Sequence, residues 1–228
     1  WKENAQGPYT ARYLPLANLM LSQPTEKQSK NIYRDLNISN ATATVTYEAD
    51  GVKYRRTSFI SYPDQVMVVK MEADKKQSVS LDVRLNSLLR YQVKATAQDE
   101  LLLDGKAPSY VANRDYDPRQ VIYHDQLGLK FKVKVKLLSK GGTYASGDSL
   151  LSIRNADEVT LLLSAATDFY QPEIKLSDCN RTYEELIDRH LKDYQPLFNR
   201  VELSLGKSSH EKEKLPTSQR LKQFAAAP

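Results

Sequence analysis

The chain contains a single cysteine, Cys179, among its 228 residues. One thiol cannot form an internal disulfide, and it excludes a metal site built from paired cysteines. The three histidines, His124, His190 and His210, are scattered along the sequence without the convergent spacing of metal ligands. We therefore expect neither a metal nor a cofactor in this chain.

Several motifs of known chemistry are also absent. The sequence has no glycine-rich phosphate loop, no nucleophile-elbow pattern and no nucleic-acid-binding motif. No apolar run approaches the roughly 18 residues of a membrane span, and the start at Trp1-Lys2-Glu3 lacks a signal-peptide pattern. The formal net charge of +5 is a modest excess that identifies no partner. We expect no nucleic-acid partner and no membrane span.

The sequence does contain a series of short strand-like runs. At residues 43–71 alternating apolar and polar residues reach Asp50-Gly51 and then return. Asp-Gly supplies the positive φ angles of a two-residue type I′ turn, so we predict a hairpin that feeds a third strand. Such runs occur at residues 14–21, 42–49, 52–60, 65–72, 79–85, 91–95, 100–103, 127–138, 150–153 and 159–165. Successive short strands without intervening helices predict a mainly β chain, with antiparallel sheets stacked as a large sandwich.

The clearest alternation lies at residues 127–137, where apolar residues occupy one face and lysines the other. The lysines are Lys130, Lys132, Lys134 and Lys136. Residues on the same face of a strand are about 7 Å apart, so this lysine ladder could follow a polyanion such as a sulfated glycan. Lysines on a solvated face also discourage edge-to-edge pairing of sheets, which is the simpler interpretation.

A helical pattern replaces the strand pattern after Phe169. Thr182 and Glu185 form a capping box, the sequence signature of a helix start. The apolar positions that follow are Tyr183, Leu186, Ile187, Leu191, Tyr194, Leu197 and Phe198. They predict an amphipathic helix with His190 on its apolar side, where we expect a hydrogen-bonded interface histidine.

Beyond this helix the sequence predicts short elements. Pro196 should bend or restart the helix because it lacks a backbone donor. Residues 201–205 then indicate a short strand closed by Gly206. Residues 207–214 are polar enough to be an exposed loop, and Leu215-Pro216-Thr217 indicates the start of another helix.

The longest stretch without a regular pattern, residues 107–126, holds the candidate site. Its candidate residues are Tyr110, Asn113, Asp115, Tyr116, Tyr123 and His124. Long loops on rigid sandwiches often serve recognition, and tyrosines beside Asp, Asn and Arg are suited to stack on sugars and to hydrogen-bond them. The alternative is that the loop packs against another domain. Both interpretations remain open at this stage.

The chain resembles glycoside hydrolase family 95, the inverting α-L-fucosidases, over nearly its whole length. The segments that carry the resemblance are YRDLNISNATATVTYEADGVKYRRTSFISYPDQVMVVKMEAD, LLLDGKAPSYV, LGLKFKVKV, EVTLLLSAATDF, TYEELIDRHLKDYQPLFNRVELSLG and LPTSQRL. The resemblance implies a β super-sandwich at residues 1–170, incomplete at its amino end. A helical linker with a short strand then follows at residues 171–214, and residues 215–228 begin a catalytic (α/α)6 barrel.

The resemblance also implies a function for the parent protein, which would hydrolyse terminal fucosyl linkages of oligosaccharides. The catalytic groups of the family belong to the barrel, so no catalytic residue is assigned here and the chain alone is expected to be inactive. Its implied partners are its own catalytic (α/α)6 domain and, through the parent enzyme, an oligosaccharide. A periplasmic or extracellular location is implied for the parent. The alternative is a free-standing carbohydrate-binding or structural β-sandwich module.

Overall fold

The computed structural model describes residues 13–25, 28–112, 116, 118–170, 172–203, 206 and 209–226. Within these ranges the strands are β1 (Asn18–Ser22), β2 (Lys30–Asn37), β3 (Thr42–Ala49), β4 (Val52–Ser61), β5 (Val66–Ala73), β6 (Val79–Asn86), β7 (Arg90–Ala97), β8 (Glu100–Lys106), β9 (Tyr110–Val111), β10 (Val121–Ile122), β11 (Lys130–Gly147) and β12 (Leu150–Thr167). The helices are α1 (Tyr183–Phe198), α2 (His210–Glu213) and α3 (Thr217–Ala226). In these ranges no helix has the length and hydropathy that crossing a membrane requires.

The strands form an antiparallel sheet in the order β2-β3-β4-β5-β12-β11-β8-β7. Strands β11 and β12 are 18 residues long and form one hairpin. The first part of β12 pairs with β6, which also pairs with β1, and its second part pairs with β5. Register shifts follow Lys140 in β11 and Ile153 in β12, and such bulges let a strand bend from one layer into another. The predicted mainly antiparallel fold is confirmed, and it is consistent with a β-sandwich.

The main core lies between the two layers and follows the predicted alternation. On β11 the buried side chains are Phe131, Val133, Val135 and Leu137, and on β6 they are Val79, Leu81, Val83 and Leu85. Burying each such side chain contributes about 1.5–3 kcal/mol to folding. The strands with the cleanest period-two sequence therefore supply most of the packing.

Helix α1 covers the outer face of the large sheet. It packs over β4, β5 and β12 in a second apolar cluster that comprises Phe59, Val66, Val68, Leu162, Cys179 and Leu186. The three strands beneath the helix are therefore covered on both faces, and a C-terminal helical segment follows the sheet as predicted.

Four details differ from the sequence predictions. The sequence did not predict strand β2, because its eight residues carry no apolar alternation and are all exposed. Strand β12 unites the two runs predicted at residues 150–153 and 159–165. Residues 201–203 form no strand, because no neighbouring strand pairs with them, and residues 204 and 205 lie outside the described ranges. Pro196 lies near the end of α1 and does not restart it.

Gly105 provides a test of the packing between β8 and β11. It pairs with Phe131, and a Cβ at this position would overlap the buried phenylalanine ring. We expect Gly105→Ala to lower the free energy of unfolding by about 1–3 kcal/mol, as overpacking does. The measurement is urea unfolding followed by far-UV circular dichroism.

Gly147 in β11 is the matched control, since a Cβ there would lie 3.9 Å from its nearest neighbour, the Cβ of Leu150. Gly147→Ala should change the free energy of unfolding by about 0.5 kcal/mol or less. The double variant Gly105→Ala with Phe131→Leu should lose less free energy of unfolding than the two single variants lose together. Equal losses for Gly105→Ala and Gly147→Ala would contradict the packing argument.

Candidate functional site

The candidate loop at residues 107–126 is built on a small hairpin. Strand β9 pairs antiparallel with β10. Two further backbone hydrogen bonds extend this hairpin, from Ser109 N to Ile122 O at 2.9 Å and from Ala112 N to Gln120 O at 2.8 Å. The loop is therefore more ordered than its sequence predicts, because two-residue strands are too short to produce a readable alternation.

Tyr123 and His124 anchor this hairpin to the sandwich. The backbone N–H of Arg90 donates to the Tyr123 hydroxyl at 3.2 Å, and the Arg90 guanidinium lies 4.0 Å from the centre of the Tyr123 ring. Lys106 Nζ donates to the carbonyl oxygens of His124 and Asp125 at 2.7 and 2.6 Å. These contacts use the Tyr123 ring and the His124 backbone to position the loop.

Two other candidate residues, Tyr110 and Tyr116, lie in the described ranges. Tyr110 is exposed, and the guanidinium of Arg119 lies 5.7 Å from its ring centre. Tyr116 is 77% exposed. Asn113 and Asp115 lie outside the described residues. The structure therefore places Tyr110, Tyr123 and His124 on one hairpin, with Tyr116 in the connection between its strands.

An apolar cavity of about 540 Å³ lies at the base of this hairpin. Its described lining includes Leu14, Leu89, Val111, Leu129 and Phe131, and none of the described lining residues has a carboxylate. This composition suits packing and does not suit acid–base chemistry. In the described part of the chain no group of three or more potential ligands could hold a metal ion.

A larger cavity of about 680 Å³ beside β3, β4 and β5 does contain carboxylates. Asp74 and Asp157 accept hydrogen bonds from the backbone N–H groups of Lys53 and Gln77, at 2.9 and 2.8 Å. Hydrogen bonds from Lys30, and then from Asn31, lower the pKa of Glu48. A general acid needs a raised pKa, so these contacts indicate a structural role for the carboxylates.

Helix α1 begins at the predicted capping box. The backbone N–H of Glu185 donates to Thr182 Oγ1 at 3.2 Å, and the Thr182 N–H donates to Glu185 Oε2 at 2.8 Å. The hydrogen bonds from the Thr182 backbone and then from its hydroxyl lower the pKa of Glu185. His190 is buried, with Nε2 2.8 Å from Asn40 O and its ring between Phe59 and Tyr194. The predicted interface histidine is confirmed.

A buried ionic contact of α1 involves Asp64, a residue that the sequence analysis does not single out. Its side chain is 1% exposed and accepts from Ser61 Oγ at 2.6 Å. Arg189 Nε on α1 lies 2.9 and 3.1 Å from the two carboxylate oxygens, and Arg181 Nη1 lies 3.2 Å from Oδ1. Ser177 Oγ donates to the Asp64 carbonyl at 2.8 Å. We call this set of five residues the Asp64 clamp.

A second ionic cluster surrounds Lys70 at the start of α1. Its Nζ lies 3.2 Å from Glu158 and 3.4 Å from Glu72, and it lies 4.6 Å from the centre of the Tyr183 ring. Burial alone would lower the pKa of Lys70, but the carboxylates of Glu158 and Glu72 outweigh it and raise the pKa. Lys70 therefore stays charged under the helix and joins β5, β12 and α1.

The lysine ladder of β11 also makes internal contacts. Lys132 Nζ lies 3.2 Å from Asp104, Lys134 pairs with Asp178, and Lys136 Nζ donates to Asn180 Oδ1 at 2.7 Å. The Lys134 hydrogen bond lowers the pKa of Asp178. Two of the lysines therefore hold the segment before α1 against β11, a role that differs from both solvation and anion binding.

Comparisons with known proteins agree with this arrangement. Residues 2–172 match the model of the glycosyl hydrolase family 65 N-terminal domain, and residues 182–228 match that of the glycosyl hydrolase family 95 catalytic domain. Alpha-L-fucosidase 2 of Arabidopsis thaliana is 32% identical to the chain over 234 aligned residues, which cover 91% of this chain. The chain spans 28% of the length of that curated relative.

A solved structure named "Putative kojibiose phosphorylase from human microbiome" has a TM-score of 0.39 and 8% identity, covering 82% of this chain and 25% of that one. This similarity is too low to support a conclusion about the fold. The family 95 match begins at residue 182, whereas the division predicted from sequence starts the barrel at residue 215, and the predicted boundaries remain predictions. By its match over residues 2–172, the chain belongs to the glycosyl hydrolase family 65 N-terminal domain family, and its last 47 residues match the glycosyl hydrolase family 95 catalytic domain.

Proposed function

We propose that the chain is the non-catalytic β domain and linker of a glycoside hydrolase of the α-L-fucosidase type. In this proposal the β domain supports a catalytic (α/α)6 domain that hydrolyses terminal fucosyl linkages of oligosaccharides. The observation that carries it is the Asp64 clamp. The clamp fixes α1, which lies inside the family 95 catalytic match, on the outer face of the sandwich.

The chemistry of the reaction supports a non-catalytic role for the chain. Inversion at a sugar needs a general acid and a general base about 6.5–9.5 Å apart. Among the described residues, no carboxylate lines the cavity beside the loop. In the cavity beside β3 to β5, Asp74 and Asp157 are held in structural hydrogen bonds. The reacting groups would then belong to a further part of the catalytic domain.

A rigid support is useful for such a reaction because small misplacements of catalytic groups reduce the rate strongly. The Asp64 clamp holds α1 to the turn between β4 and β5 through Arg189, and the buried His190, together with Tyr194 one turn later, holds it to the turn after β2. Two contacts fix both the position and the direction of a helix, whereas one would leave it free to rotate about the contact. The catalytic domain would therefore start from a defined orientation.

The first prediction concerns turnover. We expect the 228-residue chain to release no L-fucose from fucosylated oligosaccharides, and a longer form extended through the whole catalytic domain to release it. The measurement is L-fucose release, with quantification of the anomeric product by nuclear magnetic resonance. Release by the 228-residue chain would contradict the proposal, as would a longer form that is folded and inactive on these substrates.

The second prediction tests the Asp64 clamp. Breaking a buried ion pair costs about 3–5 kcal/mol, and partial exposure of both arginines should reduce this to about 2 kcal/mol for Asp64→Asn. Hydrogen exchange should rise more in α1 than in β6, because the helix loses its anchor while the central core is unchanged. Urea unfolding and exchange detected by mass spectrometry provide the two measurements.

Asp188→Asn is the matched control for this experiment. Asp188 lies on the same helix and pairs with Lys192 at 2.7 Å, but both side chains are largely exposed. Such a pair contributes about 0.5 kcal/mol or less. The double variant Asp64→Asn with Arg189→Gln should lose less free energy of unfolding than the two single variants lose together. If Asp64→Asn and Asp188→Asn changed the free energy of unfolding equally, the stabilising role of the Asp64 clamp would be contradicted.

The exposed tyrosines of the β9–β10 hairpin favour a second function, glycan binding by the β domain itself. Tyr110 has an exposed ring with a guanidinium beside it, and Tyr116 is largely exposed. Aromatic rings presented on an anchored hairpin are suited to stack on the apolar faces of sugars. Two further candidate residues of this loop, Asn113 and Asp115, would supply polar contacts in this second proposal.

The third prediction tests that binding by calorimetry with fucosylated oligosaccharides. If the hairpin binds glycans, Tyr110→Ala and Tyr116→Ala should each weaken affinity by about tenfold, since an aromatic contact contributes about 1 kcal/mol or more. Tyr62→Ala removes an exposed tyrosine from a different turn and should leave affinity unchanged. If the unaltered chain does not bind fucosylated oligosaccharides, this second proposal is wrong.

A further inference from the structure

A group of exposed apolar residues lies where the chain leaves helix α1. It consists of Ile38, in the turn after β2, and of Leu197, Phe198, Val201 and Leu203 at and beyond the helix end. Ile38 is 63% exposed and Leu197 is 54% exposed. We call this group the exit patch. Clustered apolar residues at a protein surface usually mark a contact with another surface.

Direct contacts join the two parts of the exit patch. Tyr194 Oη donates to the carbonyl oxygen of Ile38 at 2.6 Å. The ring of Phe198 stacks on that of Tyr194 with 5.7 Å between ring centres. The turn after β2 and the last turn of α1 therefore form one continuous surface, which the buried His190 contact with Asn40 holds in place.

Helix α3, which lies beyond the exit patch and α2 in sequence, also lacks a packing partner among the described residues. Helix α3 has ten residues, none of them buried. Leu221 and Phe224 are three positions apart, so they share one face, and both are exposed. Isolated helices shorter than about 12 residues are marginal in water. An apolar face on so short a helix requires another surface to cover it.

We infer that the exit patch is the surface on which the remainder of the catalytic domain packs. This inference rests on the proposed function. The chain spans 28% of its curated relative, and α1 and α3 both lie within the family 95 catalytic match. Because that domain is tethered directly beyond the patch, its effective concentration at the patch is high without a strong intrinsic affinity. Tethering therefore favours it over a separate partner.

Leu88 provides a comparison with an exposed apolar residue outside the exit patch. Leu88 is 83% exposed and precedes β7, which lies at the opposite edge of the sheet from β2. It is a single side chain, and isolated exposed apolar residues are normal. Leu88 therefore serves as an internal control for any measurement at the exit patch.

The test compares hydroxyl-radical labelling of the 228-residue chain with that of the longer form that contains the whole catalytic domain. In the longer form we expect labelling of Ile38, Leu197 and Phe198 to fall by about fivefold or more, since the centre of an interface excludes water. Labelling of Leu88 should not change. Leu197→Asp in the longer form should restore labelling of Ile38, whereas Leu88→Asp should not.

The outcomes separate this inference from the proposed function. Unchanged labelling in a longer form that releases L-fucose would overturn the inference and leave the function intact. Protected labelling in a form that releases no L-fucose would support the packing surface and reject the fucosidase activity. Protection in the 228-residue chain that increases with protein concentration would assign the patch to a second copy and overturn the inference.

Discussion

The attachment of helix α1 depends on one buried carboxylate, that of Asp64. Removing such a charge from water is costly unless charged or hydrogen-bonding partners surround it. Ser61, Arg181 and Arg189 provide those partners, and the arginines belong to the segment that precedes α1 and to α1 itself. The turn between β4 and β5 therefore helps to position the helix over the apolar cluster below it.

The attachment of α1 also involves charged side chains of β11, which contact the segment before the helix. Lys134 and Lys136 hold Asp178 and Asn180, and the adjacent Ser177, which is part of the clamp, donates a hydrogen bond to the Asp64 carbonyl. The segment before α1 is thus fixed at several successive residues. Each exposed contact is weak alone, but contacts along one segment share the entropy cost of ordering it.

Local patterns were predictable from the sequence, and long-range contacts were not. The Asp50-Gly51 turn has φ values of +53° and +73°, and the capping box at Thr182 forms as expected. The sequence did not predict the small hairpin in the candidate loop, and the anchoring of Tyr123 by Arg90 joins residues that are 33 positions apart. Asp64 is 125 residues from Arg189, and no periodicity in a single sequence reports such a pair.

The electrostatics that stabilise this fold also oppose acid catalysis within it. Hydrogen bonds from Lys30, Lys134 and Thr182 lower the pKa values of Glu48, Asp178 and Glu185, respectively. A glycosidase acid must instead hold its proton near neutral pH, which requires a raised pKa. Carboxylates whose pKa values are lowered in this way are poorly suited to protonate a leaving group. These three residues therefore agree with the proposed separation of support and chemistry between two parts of one protein.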